Sequence, residues 1–210
     1  MAGIILMGLL IFIPAGSVWY WQGWLLMGIL FIPMFIAGLI MMKKSPDLLR
    51  KRLDAREKQS EQKAVILLSG LMFLVGFVLA GLDFRFGWSH MPSWLSTAGT
   101  VIFLLSYLLY AEVLRENTWL SRTIEVQENQ TVVDTGLYGI VRHPMYSATI
   151  LLFLMIPLIL GSWYALIIFA FYPVIIIVRL MDEEDLLTRE LPGYAEYKKK
   201  VKYRIIPFVW

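Results

Sequence analysis

The sequence contains no cysteine, which excludes disulfides, thiolate metal sites and a cysteine nucleophile. If thiol chemistry occurs, the substrate brings the sulfur. It has no glycine-rich dinucleotide fingerprint, no P-loop and no HExxH motif, so the usual signatures of nucleotide and zinc chemistry are missing. No low-complexity tract or internal repeat interrupts it. Residues 2–42 carry no charge at all. No basic segment precedes that stretch, so it reads as membrane-spanning rather than as a cleaved signal peptide.

Apolar residues dominate what is there. They make up 59% of the 210 residues, with a mean hydropathy of +0.67. A soluble domain is nearer half apolar, and here the excess is gathered in long runs, which is the signature of membrane spans. Residues 2–42 are about twice the ~20 residues that cross a bilayer. Two helices are expected, joined near residues 17–22, where Pro14 and Gly16 break the run. Trp19, Tyr20, Trp21 and Trp24 suit an interfacial belt at that joint.

Residues 43–63 form a basic polar connector suited to anionic headgroups. A third span follows over 64–82, then a short polar stretch with Arg85, Trp88 and His90, which reads as interfacial. The fourth span is 94–111, and 112–142 is a polar loop. Residues 145–180 read as a helical hairpin turning near 157–162, and 182–210 is a polar tail. The fold expected is all-α: a polytopic membrane bundle of five or six transmembrane helices, with a C-terminal hairpin and a cytoplasmic pocket. It forms one integral membrane domain over 1–210, divided into N-terminal transmembrane helices (1–114) and a cofactor-binding and catalytic region (115–210). With both termini cytoplasmic, every Lys and Arg except Arg85 lies inside, as the positive-inside rule requires.

Three stretches could carry chemistry. In residues 126–146, VQENQTVVDTGLYGIVRHPMY, Arg142 and His143 precede Pro144, which suits the first turn of a helix. His143 then sits at a helix N-terminus, a favourable place for a carboxylate. In RLMDEED, Arg179 and Glu183 are four apart and share a helix face. Arg179 closes an apolar run, and a charge there is costly unless paired or used. In GYAEYKKKVKYRIIPF, Tyr194 and Tyr197 share a face, and the lysines suit headgroups. Arg142 with His143 also fits an interfacial pair, and Arg179 with Glu183 an ordinary ion pair. The hairpin brings the first two stretches to one membrane surface. By themselves the residues describe a partly buried polar pocket and name no reaction.

At these residues the chain resembles the isoprenylcysteine carboxyl methyltransferase family and its prokaryotic relatives. The resemblance lies in TVVDTGLYGIVRHPMY, an apolar hairpin, RxxxEE and GYAEYKKKV followed by IPF, in that order, over residues 117–208. It implies S-adenosylmethionine as cofactor. It further implies that Gln127, Gln130, Thr131, Val132, Val133, Tyr138, His143, Pro144, Met145, Tyr146 and Glu183 bind that cofactor. Arg179 matches the arginine at the substrate carboxylate, so Arg179 and Glu183 are the residues implied for catalysis, with no metal. Gln130 stands where the family often has histidine. The implied partners are a lipophilic or lipidated substrate arriving from the bilayer, and membrane lipids, with no nucleic acid. The implied location is a prokaryotic inner membrane. Three other readings stay open: a phospholipid N-methyltransferase, which has a similar RHPxY and EE pattern, a sterol-type membrane reductase using NADPH, and a non-catalytic helical membrane protein whose pocket is only structural. Against the reductase, Met145 stands where asparagine follows the proline, and the loop lacks an evident set of bases for a 2′-phosphate.

Overall fold

The computed structural model describes residues 2–53, 60–121 and 123–210. Part of the expected basic connector, residues 54–59, lies outside the described residues. Every element among the described residues is helical: α1 (Ala2–Ala15), α2 (Trp21–Lys44), α3 (Pro46–Leu53), α4 (Ser60–Phe86), α5 (Ser93–Glu116), α6 (Pro144–Leu160), α7 (Trp163–Phe169), α8 (Tyr172–Glu190) and α9 (Tyr194–Lys200). A single 3-10 turn, Gly136–Gly139, precedes α6.

Among the described residues, four stretches are long and apolar enough to cross a membrane: α2, α4 from Gln62, α5, and the arm Trp163–Glu190. The shorter apolar helices α1 and α6 complete the bundle. In lipid, a helix satisfies its own backbone hydrogen bonds, which is why long apolar runs become helices here. The uncharged N-terminal run does break in two. Gly16 adopts a φ of +63°, and Val18 accepts a hydrogen bond from the Trp24 indole at 2.8 Å across the turn.

The hairpin turns at Gly161 (φ +74°), which caps α6, and at Ser162, whose side chain accepts the Ala165 N–H at the start of α7. Pro157 lies inside α6 and does not turn the chain. The returning arm differs from a single continuous helix. It is interrupted at Ala170 and Phe171, and Pro173 stands in the first turn of α8, where a residue lacking N–H is tolerated.

Small residues and buried polar groups hold the helices together. A Cβ on Gly81 would lie 2.6 Å from the Ile11 carbonyl oxygen, so α1 and α4 cross there at backbone contact. At the end of the bundle away from the pocket, Asp83 is buried. It accepts from the Ser162 hydroxyl at 2.5 Å and from Ser89 N–H and Oγ at 2.8 and 2.7 Å. Tyr20 donates to the Leu160 carbonyl at 2.5 Å, and Ser96 to that of Ile159 at 2.9 Å. A buried acid in a membrane protein is costly unless so satisfied. These bonds pin the hairpin turn to α2, α4 and α5, and so set where α6 begins and α8 ends at the opposite face.

Candidate functional site

His143 is the N-cap of α6 and Pro144 occupies its first turn. The C-terminal tail runs beside this segment. Tyr203 O accepts the Arg142 N–H at 2.9 Å and Arg204 O the His143 N–H at 2.8 Å. The Arg142 guanidinium donates to the carbonyls of Val201 and Lys202 at 2.8 and 3.0 Å. Ser147 donates to the Ile205 carbonyl at 2.6 Å. The tail is therefore an integral wall of the site.

Glu184 of α8 lies at the centre, with 1% of its surface exposed. It accepts from Arg142 Nε at 2.5 Å, pairs with His143 Nε2 at 3.2 Å and accepts from Arg204 Nε at 2.9 Å. Two guanidiniums and an imidazole around one buried carboxylate satisfy the charge, which unpaired would be strongly destabilising. The Tyr194 hydroxyl lies 3.4 Å from the same imidazole nitrogen. Tyr197 donates to the Tyr138 carbonyl at 2.7 Å. Burial pushes the hydroxyls of Tyr138, Tyr194 and Tyr197 well above the usual tyrosine range, so they remain neutral donors.

A second polar chain opens into the pocket. Tyr146 of α6 donates to Glu183 Oε2 at 2.5 Å and accepts from Arg179 Nε at 3.2 Å. Arg179 Nη1 also donates to Gln62 Oε1 at 3.0 Å, and Gln62 Nε2 donates to Asp182 Oδ2 at 2.6 Å. Arg179 and Glu183 are half-buried, and both line the pocket.

The loop before α6 covers this chain. Asn117 Oδ1 accepts the Trp119 N–H at 2.9 Å, and Gln127 donates to the Trp119 carbonyl at 2.6 Å. Gln130 Oε1 accepts the Gln127 N–H at 2.9 Å. At Gly136 a Cβ would meet the Glu116 carboxylate, and φ is +52°. Glu116 accepts the Leu137 N–H at 2.9 Å, which fixes the loop to the end of α5.

Between loop, α6, α8 and α9 lies a pocket with a cavity of about 80 Å³. Of the residues singled out in the sequence, Gln130, Thr131, Val132, Val133 and Tyr138 line it from the loop. His143, Met145 and Tyr146 line it from the head of α6, and Arg179 and Glu183 from α8. Gln127 and Pro144 do not line it: one braces the loop and the other starts the helix. Leu187 and Leu191 add apolar wall, and Trp119 borders the loop side. Among the described residues no group of three or more His, Asp or Glu is placed to hold a metal ion.

This donor set fits S-adenosylmethionine. An apolar wall with a buried tyrosine suits a purine. Glu183 can accept from a hydroxyl or ammonium group. Sequence reasoning overlooked Glu184, Arg204 and Gln62. The acid doublet was visible, but nothing in the spacing said which carboxylate turns inward.

Residues 93–193 match the phospholipid methyltransferase family, a stretch just short of half the chain. It runs from the first residue of α5 to Gly193 and includes the loop, His143, Arg179, Glu183 and Glu184. It leaves out α4 and the C-terminal tail. The match supports a membrane methyltransferase that uses S-adenosylmethionine, without distinguishing a carboxylate acceptor from a phospholipid.

Proposed function

We propose that the protein is an integral membrane methyltransferase that transfers the methyl group of S-adenosylmethionine to a carboxylate, or a similar nucleophile, of a lipophilic acceptor such as an isoprenylcysteine. The observation that carries this reading is the Tyr146 hydroxyl, which joins Glu183 to Arg179 inside one pocket. A carboxylate for the cofactor and a guanidinium for an anion are thereby held in fixed relation.

The cofactor supplies an activated methyl group on a sulfonium. The chain supplies position. Arg179 orients an acceptor oxyanion through its planar fork, and the Glu184 cluster locks His143 and the tail. Holding both reactants in line is the main source of rate in such a site. An apolar groove of about 350 Å³ lies on the outer side of α4, α7 and α8, lined by Leu68, Met72, Val75, Ile168, Phe171 and Ile175. Ile175 is one helical turn from Arg179, so a hydrocarbon chain in this groove would lead its polar end toward the pocket. By the charge rule, termini and pocket face the cytoplasm, in a prokaryotic inner membrane.

The family match favours a second reading, methylation of a phospholipid amine. There Arg179 would hold the phosphodiester and leave the amine near Glu183. A methyl-label transfer assay with small prenylated cysteines and with phosphatidylethanolamine separates the two. Titration of the detergent-purified protein with S-adenosylmethionine and with NADPH tests the class. S-adenosylmethionine is expected to bind; NADPH binding alone would overturn the proposal in favour of a reductase.

A further inference from the structure

Gln62 lies in the first turn of α4, outside the stretch that matches the methyltransferase family. Its side chain is fully buried. Both ends of its amide are used: the oxygen accepts from Arg179 Nη1 at 3.0 Å, and the nitrogen donates to Asp182 Oδ2 at 2.6 Å. Arg179 and Asp182 are three apart on α8 and so share a face.

The chemistry of the position is narrow. It needs an acceptor toward a cation and a donor toward an anion in one neutral group, which among side chains of this reach glutamine provides. A carboxylate there would stand beside Asp182, and an ammonium beside Arg179. Leucine or methionine would fill the space without the cost of burying an amide. The guanidinium is also planar. Nε is tied to Tyr146 of α6 and Nη1 to Gln62 of α4, and two anchored nitrogens fix the orientation of the plane.

We propose that Gln62 is a positioning residue for the acceptor. It sets the plane of Arg179 toward an oxyanion on the lipophilic substrate and holds the Asp182 carboxylate away from that guanidinium. The inference rests on the reading that Arg179 receives such an oxyanion. The group is a carboxylate on a prenylated cysteine or the phosphodiester of a glycerophospholipid; the chemistry presented to Arg179 is the same.

The test uses the full chain in detergent, with S-prenylated cysteine in one arm and phosphatidylethanolamine in the other. The variants are Gln62→Met, Gln62→Glu, Gln62→Met/Asp182→Asn and Arg179→Ala. Wild-type protein methylates one acceptor, which identifies the source of the oxyanion, and Arg179→Ala loses that turnover. Gln62→Met raises the acceptor KM about tenfold, the scale of one hydrogen bond to a charged group, with S-adenosylmethionine affinity unchanged. Gln62→Glu, which keeps size and acceptor oxygen, raises it as well, because it neutralises the guanidinium. Adding Asp182→Asn to Gln62→Met recovers most of the loss, since the rival carboxylate is gone; a purely structural glutamine would give no recovery. An active wild type, an impaired Arg179→Ala and a Gln62→Met with normal acceptor KM would overturn the role of Gln62 alone. A wild-type acceptor KM in Arg179→Ala, or transfer to neither acceptor, would overturn the reading of Arg179 and this inference with it.

Discussion

Arg142 and Glu184, 42 residues apart in the chain, meet through Nε and Oε1 at 2.5 Å in the interior of the protein. Neither side chain is more than 6% exposed. The contact closes α8 onto the segment that begins α6. It also ties both to the tail, because Arg142 donates to the Val201 and Lys202 carbonyls and Arg204 reaches the other oxygen of Glu184.

Removing that carboxylate leaves two guanidiniums facing each other in a dry site. Glu184→Gln is expected to lower stability by about 3 kcal/mol, the scale for breaking a buried pair from one side. Thermal unfolding in detergent measures it. A variant with wild-type stability would show that the cluster contributes little to the fold.

Glu183 and Arg179 should separate in binding assays although Tyr146 links them. Glu183→Ala removes a charge-assisted acceptor and is expected to weaken S-adenosylmethionine binding by at least about tenfold. Arg179→Ala is expected to leave cofactor affinity near wild type and abolish turnover. Arg179→Lys should not restore it, because an ammonium lacks the planar fork. Calorimetry alongside methyl-transfer rates checks both, and swapped effects would reverse the assigned roles.

Gly136→Ala tests the seat of the loop. The position combines φ of +52° with a Cβ site occupied by the Glu116 carboxylate. The methyl would displace Glu116 from the Leu137 N–H in a backbone region that strains alanine. The expected cost is about 1–3 kcal/mol, with weaker cofactor binding. Unchanged unfolding and binding would mean that the loop is held by other contacts.

Alkaline titration probes the neutral tyrosines. Tyr138, Tyr194 and Tyr197 have folded values raised above the ordinary value of 10, chiefly by burial. Their contribution to stability is fully present below pH 10 and declines as pH rises past it, because the unfolded chain ionises first. The part of the ultraviolet tyrosinate absorbance that is lost in the Tyr138→Phe, Tyr194→Phe and Tyr197→Phe variants should therefore develop together with loss of helical signal above pH 10. Tyrosinate forming in the intact fold at ordinary values would contradict this.

The helices were legible because each depends on a local property. An uncharged run must become a helix in lipid, Gly16 and Gly161 must turn where a left-handed residue is needed, and Pro144 must start α6. The neighbourhood of His143, Tyr146 and Arg179 could be anticipated, since a hairpin returns the chain to the surface it left. The turn expected near 157–162 falls at Gly161 and Ser162, and Pro157 stays inside α6, where neighbouring helices and backbone adjustments accommodate it.

Sequence alone determined the membrane bundle, the hairpin and the residues whose spacing carries a known signature. Tertiary structure alone decided which of two adjacent acids is buried. Glu183 and Glu184 lie about 100° apart around α8, so one faces the pocket while the other meets Arg142, His143 and Arg204. It also decided that Gln62, on a helix more than a hundred residues earlier, touches Arg179 and Asp182. Such partners are chosen by where helices cross, and helix crossings are set by packing across the whole bundle, which no local pattern of residues records.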